Sequence, residues 1–117
     1  MAVQGLFYIH IQVSDLARSK AFYGDALGWG LETDEAEVAG FRFGSGYLVI
    51  SQVQRPADRR PWGLEVCVQV DDLEAQHARL TQGGAGPGPI EAHPWGERNF
   101  SFLDPDGYAW RYGQPVG

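Results

Sequence analysis

The sequence predicts an α+β fold built from two tandem βαβββ modules, and three observations support this prediction. First, the apolar and acidic residues of an early segment recur in the second half of the chain at a constant offset of 57 residues. The first copy is Ile9, Ile11, Val13, Asp15 and Leu16, and the second copy is Val66, Val68, Val70, Asp72 and Leu73. Second, each copy places an alternating strand pattern directly before an acidic helix cap. Third, a Gly-Tyr pair opens the last strand of each half, at Gly46-Tyr47 and at Gly107-Tyr108.

The first module is predicted to occupy residues 1–54. Leu6 to Val13 alternates between apolar and other residues, which indicates a strand. Ser14 or Asp15 caps a helix that runs to about Leu27 and ends at Gly28, because a glycine there can adopt the left-handed conformation that closes a helix. Three short strands follow, at Trp29 to Thr33, Val38 to Phe43 and Tyr47 to Val53.

The second module is predicted at residues 62–117, after a polar, proline-bounded linker at residues 55–61. Leu64 to Val70 repeats the first strand, and Asp71 or Asp72 caps a helix that ends near Gly83-Gly84. Three strands follow, at Ile90 to His93, Arg98 to Leu103 and Tyr108 to Gly113.

The alternation also assigns the two faces of the first strand in each module. Side chains alternate between faces along a strand, so the repeated apolar row faces the helix and the intervening residues face away. The residues that face away are Tyr8, His10 and Gln12 in the first copy and Glu65, Cys67 and Gln69 in the second. So many polar residues opposite the helices predict a cupped mixed sheet that surrounds a cleft.

Composition and charge exclude several classes of function. The chain has 117 residues, of which 44% are apolar and 21% charged, so it is long enough for one domain or two small modules. Its formal charge is −6 with no cluster of Lys or Arg, which argues against a nucleic-acid partner. No apolar run reaches the roughly 18–20 residues of a membrane span, and no secretion signal is visible. Cys67 is the only cysteine, so we expect a cytoplasmic protein without an intrachain disulfide.

Three segments resemble the vicinal-oxygen-chelate superfamily, which includes glyoxalase I, extradiol dioxygenases, fosfomycin-inactivating transferases and the bleomycin-resistance proteins. They are Val13 to Trp29 (VSDLARSKAFYGDALGW), Val68 to Leu73 (VQVDDL) and Phe102 to Tyr112 (FLDPDGYAWRY). The resemblance covers nearly the whole chain. It implies paired βαβββ modules and a homodimer, in which the modules can be exchanged between the chains.

The resemblance also implies where a metal would bind in this chain. The family's ligand positions correspond to Tyr8, Ile50, Glu65 and Arg111, and Glu65 alone is an ordinary metal ligand. A catalytic divalent metal needs about three protein ligands and an open position. We therefore expect no metal and no cofactor at this place, and instead a pairing of Arg111 with Glu65.

Other polar residues leave alternatives open. A displaced metal set of His10, Glu65 and His93 competes with the interpretation of His10 as a hydrogen-bonded residue of the cleft. Cys67 is a small buried hydrophobic residue or a nucleophile with His10 as its base. His93 is expected in a rim or capping role.

The aromatic residues indicate a binding surface. Trp95 lies in a polar loop between Pro94 and Gly96, where there is little core for it to enter, and Trp62 opens the second module. Trp29 and Trp110 are expected to pack against the helices. Four phenylalanines on middle strands are either core residues or walls of the cleft, namely Phe41, Phe43, Phe100 and Phe102.

These observations predict a non-enzymatic protein that sequesters an antibiotic, by stacking a planar or aromatic natural product between aromatic side chains. The predicted ligand-binding residues are Tyr8, His10, Phe41, Phe43, Ile50, Trp62, Glu65, Trp95, Phe100, Phe102 and Arg111. Three alternatives stay open. They are a metal-dependent lyase, isomerase or dioxygenase with a displaced site, a metal-free enzyme that uses Glu65 or His10 as its base, and a structural domain without a small ligand.

Overall fold

The computed structural model describes residue 2 and residues 4–53 and 64–116. The chain divides into two compact units, Met1–Ala57 and Asp58–Gly117, which we call unit 1 and unit 2. The predicted linker, 55–61, lies outside the described residues, so the module boundaries around it stay predictions.

Unit 1 has the predicted βαβββ order. Its elements are β1 (Ile9–Val13), α1 (Leu16–Lys20), a turn of π-helix (Ala21–Ala26), β2 (Gly30–Asp34), β3 (Val38–Phe43) and β4 (Gly46–Gln52). The sheet order is β1-β4-β3-β2, with β1 parallel to β4 and the other pairs antiparallel. The single helix predicted in this unit is thus α-helical in its first part and π-helical in its last part.

Unit 2 repeats this topology. Its elements are β5 (Glu65–Gln69), α2 (Leu73–Gln82), β6 (Glu91–His93), β7 (Glu97–Leu103) and β8 (Ala109–Pro115). The sheet order is β5-β8-β7-β6, again with one parallel pair, β5 and β8. The predicted α+β fold of two βαβββ repeats, each with a four-stranded mixed sheet, is therefore confirmed.

Both helices begin at an aspartate that caps the first turn. The Asp15 carboxylate accepts a hydrogen bond from the backbone N–H of Arg18, and the Asp72 carboxylate accepts one from that of Ala75. Because the first turn of a helix has unpaired N–H groups, these carboxylates stabilise both helix starts.

A glutamine near the end of the last strand of each unit makes a second contact with the helix. The Gln52 side chain accepts a hydrogen bond from the N–H of Leu16 at 2.8 Å and donates one to the carbonyl of Ser14 at 2.7 Å. Gln114 does the same for Leu73 and Asp71 in unit 2, at 3.0 Å in both contacts. Each glutamine therefore ties the start of its helix to the last strand of its sheet.

Each unit has its own aromatic core on the helix side of its sheet. In unit 1 the buried residues include Tyr23, Phe41 and Ile50, and Trp29 stacks on Phe43 with ring centres 4.2 Å apart. In unit 2 the core consists mainly of Phe100, Phe102, Trp110 and Tyr112, all at most 3% exposed. Trp29 and Trp110 were expected to pack against the helices, and both are buried. The Trp29 ring centre lies 5.3 Å from that of Tyr23 in the π-helical turn.

The strand registers show which residues are equivalent in the two units. His10 pairs with Val49 in unit 1, and its repeat partner Cys67 pairs with Arg111 in unit 2. Val49, and not Ile50, is therefore the equivalent of Arg111. Counting the same number of residues from the turn glycine of each unit matches Arg111 with Ile50. The strand pairing shows that this count is one residue too long in unit 1. One residue along a strand reverses the face, so Ile50 points into the core and is fully buried.

Candidate binding site

The sheet of unit 2 has an open face, which we define as the face away from α2. On β5 the open-face residues Glu65, Cys67 and Gln69 are exposed, while Val66 and Val68 are half-buried on the other face. The predicted alternation is therefore present. The neighbouring strands contribute Arg111 and Gly113 from β8, and Glu97, Asn99 and Ser101 from β7, to the same face.

An ion pair occupies the centre of this open face. The Arg111 Nη2 atom lies 3.2 Å from Glu65 Oε1, and both side chains are about one-third exposed, at 31% and 32%. The Arg111 Nε–H also donates a hydrogen bond to the Ser101 hydroxyl at 3.3 Å. These residues do not fit a divalent cation, because Glu65 is already paired and the guanidinium places a fixed positive charge beside it.

Cys67 lies beside this ion pair and is exposed, so its interpretation as a buried hydrophobic residue was wrong. Partial burial of the thiol, followed by the negative charge of Glu65, raises the pKa of Cys67, and the charge of Arg111 offsets this only in part. A raised pKa lowers the thiolate fraction, which is the opposite of what a nucleophile requires.

Trp95 is the most exposed of the described tryptophans in this unit, at 64%. Its ring stacks on His93, with ring centres 4.4 Å apart and planes 12° apart, and its indole N–H donates to Glu97 Oε1 at 3.0 Å. The loop can turn this tightly because Gly96 has a φ of +88° and donates its N–H to the His93 carbonyl. One face of the indole is therefore covered by His93, and the ring is fixed in place.

Asn99 completes the network that holds Trp95. Its side chain is buried, donates to Glu97 Oε2 at 2.8 Å, and bonds through Oδ1 to His93 Nε2 at 2.9 Å. Since an amide oxygen only accepts, this contact requires a proton on His93 Nε2. The hydrogen bonds from Asn99 and Trp95 hold the pKa of the Glu97 carboxyl below its ordinary value. Trp95, Glu97, Asn99 and His93 thus form a closed ring of contacts.

A depression of about 260 Å³ lies beside this ring. Its lining includes Cys67, Gln69, Trp95, Glu97, Gly113 and Pro115. Trp95 was predicted from the sequence as a residue of this site, whereas Glu97 and Asn99 were not. The polar alternation of Glu97, Asn99 and Ser101 against Phe100 and Phe102 was the available signal.

The open face of unit 1, which is the face of its sheet away from α1, carries different side chains. His10 Nε2 lies 2.8 Å from the Ser51 hydroxyl, and Tyr8 is 48% exposed just before β1. The Tyr47 hydroxyl lies 2.9 Å from that of Thr33, and the Arg42 guanidinium lies 4.7 Å from the centre of the Tyr47 ring. His10 is thus a hydrogen-bonded residue of the open face.

Several predicted binding residues lie elsewhere. The structure buries Phe41, Ile50, Phe100 and Phe102 in the cores, so their interpretation as walls of a binding surface was wrong. Phe43 is half-buried against Trp29. Trp62 lies outside the described residues. The predicted site residues that unit 2 brings to its open face are Glu65, Trp95 and Arg111.

Two further features of the described residues bear on other classes of function. No helix in this part of the chain is long and apolar enough to cross a membrane. No group of three His, Cys, Asp or Glu side chains in the same residues is arranged to hold a metal ion.

Comparison with known structures shows the same fold in proteins of several activities. The fosfomycin resistance protein FosX from Listeria monocytogenes superposes with a TM-score of 0.82 at 16% identity, covering 97% of this chain and 95% of that one. TnmS3, an antibiotic binding protein from Streptomyces sp. CB03234, superposes with a TM-score of 0.80 at 26% identity, covering 99% of both chains.

Comparison of sequences identifies the family. The uncharacterized protein YaeR of Escherichia coli (strain K12) is 31% identical over 120 residues, covering 92% of this chain and 93% of YaeR. The profile of the Glyoxalase/Bleomycin resistance protein/Dioxygenase superfamily matches residues 5–112. The chain, with its two βαβββ repeats, therefore belongs to this superfamily.

Proposed function

We propose that the chain is a non-enzymatic antibiotic-binding protein that sequesters a planar or aromatic natural product. The observation that carries this proposal is the exposed indole of Trp95, held by His93 on one face and by Glu97 at its N–H. Such a ring offers a flat apolar surface with little conformational entropy left to lose on binding. Aromatic stacking on it contributes about 0.5–1.5 kcal/mol beyond the burial of apolar area.

The ion pair on the open face supports binding over metal-dependent chemistry. The superfamily resemblance assigns metal ligands to the positions of Glu65 and Arg111, which here bond to each other. The equivalent of Arg111 in unit 1 is Val49, which has no ligating atom in its side chain. A polar ligand group can instead exchange hydrogen bonds with this pair.

The likeness to TnmS3 is consistent with this proposal. At 26% identity over 99% of both chains, it is closer in sequence to this chain than FosX is, and it is an antibiotic binding protein. On the proposed mechanism, binding lowers the concentration of free drug by mass action and leaves the drug intact. Glu65 and Arg111 are proposed as hydrogen-bonding contacts for the ligand on the open face of unit 2. Tyr8 and His10 are proposed as ligand contacts on the open face of unit 1, and the protein is proposed to be a cytoplasmic homodimer.

A panel of planar natural-product antibiotics, titrated calorimetrically, tests the proposal. For any compound that binds, we expect Trp95→Ala to weaken the affinity at least about tenfold, which corresponds to about 1.4 kcal/mol. The matched control is Leu31→Ala, which removes another exposed apolar side chain, 46% exposed, from β2 of unit 1, where Leu31 pairs with the core residue Phe41. It should change the affinity less than about twofold. Equal effects of the two substitutions would contradict the proposal.

Chemical analysis of the bound compound separates sequestration from catalysis. After incubation with each divalent metal in turn, the ligand recovered from the protein should have its original mass. The metal retained after desalting should also be far below one equivalent. Near one equivalent of metal, lost on Glu65→Ala, or a ligand of altered mass would instead support an enzyme.

A further inference from the structure

We propose that the depression beside Trp95 is a subsite for a protonated amine, so that the ligand is a planar compound bearing a basic nitrogen. This inference rests on the proposed function, and it adds the charge of the ligand to it. Three features of unit 2 carry it: the charge of the lining, the free acceptors of Glu97 and the position of the indole.

The charge of the depression is set by one residue. Among the described residues that line it, Glu97 alone carries a formal charge. The nearby guanidinium of Arg111 also acts on Glu97, but its charge is offset in part by its pairing with the Glu65 carboxylate. The whole chain also has a formal charge of −6, which attracts cations from solution. The depression therefore favours a positively charged group.

Glu97 retains acceptor capacity for a ligand. Each of its carboxylate oxygens accepts one hydrogen bond, from Trp95 and from Asn99. An ionised carboxylate has about four lone-pair sites, so about two remain for an ammonium group. The same hydrogen bonds lower the pKa of Glu97, so the group stays ionised at neutral pH.

Gly113 allows the carboxylate to lie over β8. A Cβ at this position would lie 2.7 Å from Glu97 Oε2, which is too close for a real contact. With glycine there, the carboxylate can lie close to the strand, where Glu97 lines the depression.

The indole provides a second attraction for a cation. Tryptophan is the best of the aromatic side chains for cation–π contacts, which need the cation within about 6 Å of the ring. Trp95 and Glu97 line the same depression, so an ammonium group there reaches both. The planar part of the ligand then lies on the exposed indole.

Three anthracene probes of one shape and different charge test the inference. They are 9-(aminomethyl)anthracene, 9-(hydroxymethyl)anthracene and anthracene-9-carboxylate, titrated against the full chain by polarisation of their own fluorescence. We expect the amine to bind at least about tenfold more tightly than the alcohol, and the carboxylate to bind most weakly.

Two substitutions locate the preference. Glu97→Gln should abolish the advantage of the amine over the alcohol. Glu91→Gln removes the same charge from an exposed position on the adjacent strand β6, and should leave that advantage within about twofold. Since the alcohol also reports on Trp95, it shows whether Glu97→Gln has merely displaced the indole.

The outcomes separate this inference from the proposed function. If all three probes bind equally well, or if Glu91→Gln and Glu97→Gln have equal effects, the amine subsite is contradicted while a stacking surface remains. If Glu97→Gln weakens the amine and the alcohol by the same factor, the carboxylate only positions Trp95, and the amine subsite is again contradicted. If no probe binds at about 1 mM, the stacking surface itself is contradicted.

Discussion

The two units share one scaffold and carry different open faces. In both, an aspartate caps the helix, a glutamine ties its start to the last strand, and aromatic residues fill the core. On the open faces, His10 and Ser51 of unit 1 form a small polar contact, whereas unit 2 has the Glu65–Arg111 ion pair and the ring of contacts around Trp95. The repeat therefore preserves the contacts that fold each unit and varies the side chains of the open face.

The same contrast appears at the glycine on each open face. Tyr47 lies across Gly40 in unit 1, where a Cβ would overlap the tyrosine hydroxyl. Glu97 lies across Gly113 in unit 2. A strand glycine thus accommodates a large side chain in each unit, but that side chain is a hydrogen-bonded phenol in one and a carboxylate in the other.

The largest effect is expected from the equivalent core residues Phe41 and Phe102. Both are buried, so replacement by alanine should leave a cavity and lower the free energy of unfolding by about 3–5 kcal/mol in each unit. Chemical denaturation of both variants measures this. A stable Phe102→Ala protein that had lost only ligand affinity would contradict the assignment of Phe102 to the core.

The next largest loss of stability is expected from replacing Gln52 and Gln114, the glutamines that tie each helix to its sheet. Gln52→Ala and Gln114→Ala each remove the glutamine's hydrogen bonds to a helix N–H and to a loop carbonyl, which costs about 1–3 kcal/mol. Thermal unfolding should therefore show similar losses for the two variants. A large loss in one and none in the other would break the equivalence of the two scaffolds.

Replacement of Gly40 and of Gly113 by alanine should affect stability differently in the two units. In Gly40→Ala the Tyr47 ring has to move, with an expected loss of about 1–3 kcal/mol. In Gly113→Ala the end of the flexible Glu97 side chain moves instead, so stability should change by less than about 1 kcal/mol. Binding of a stacked ligand should weaken in Gly113→Ala, because Glu97 then no longer fixes Trp95. Equal stability losses in the two variants would contradict this comparison.

The smallest effect concerns the reactivity of Cys67. The negative charge of Glu65 helps to raise the pKa of this thiol, so Glu65→Gln should lower that pKa and speed alkylation by iodoacetamide at neutral pH. In Glu65→Gln, the pH profile of the alkylation rate should shift to lower pH by the same amount as the pKa. Glu91→Gln is the control of equal charge, and an identical shift in both variants would contradict a local effect of Glu65.

The scaffold was predictable from the sequence because its signals are local. The alternation of β1 and β5 and the caps at Asp15 and Asp72 lie in short segments, and the structure has them where the sequence predicts them. Of the pairs across strands, the contact of Glu65 with Arg111 was also predicted, although from the family resemblance and not from a local pattern.

The remaining contacts depend on register and burial, which a single sequence indicates poorly. Counting from a turn led to Ile50 in place of Val49, since one residue of offset reverses the face. Glu97 and Asn99 were missed because their importance comes from bonding to Trp95 and His93 across a turn. Phenylalanines suit a core and a binding surface equally well by composition, and burial decided between these for Phe100 and Phe102.

The most direct test of the central claim is a ¹H–¹⁵N spectrum of the tryptophan indoles during titration with a planar antibiotic that binds. The chain has four tryptophans, and Trp29 and Trp110 are buried while Trp95 is exposed. We predict that the Trp95 indole signal shifts in proportion to the bound fraction, and that the signals of Trp29 and Trp110 stay in place. Saturable binding that leaves the Trp95 signal unchanged would contradict it.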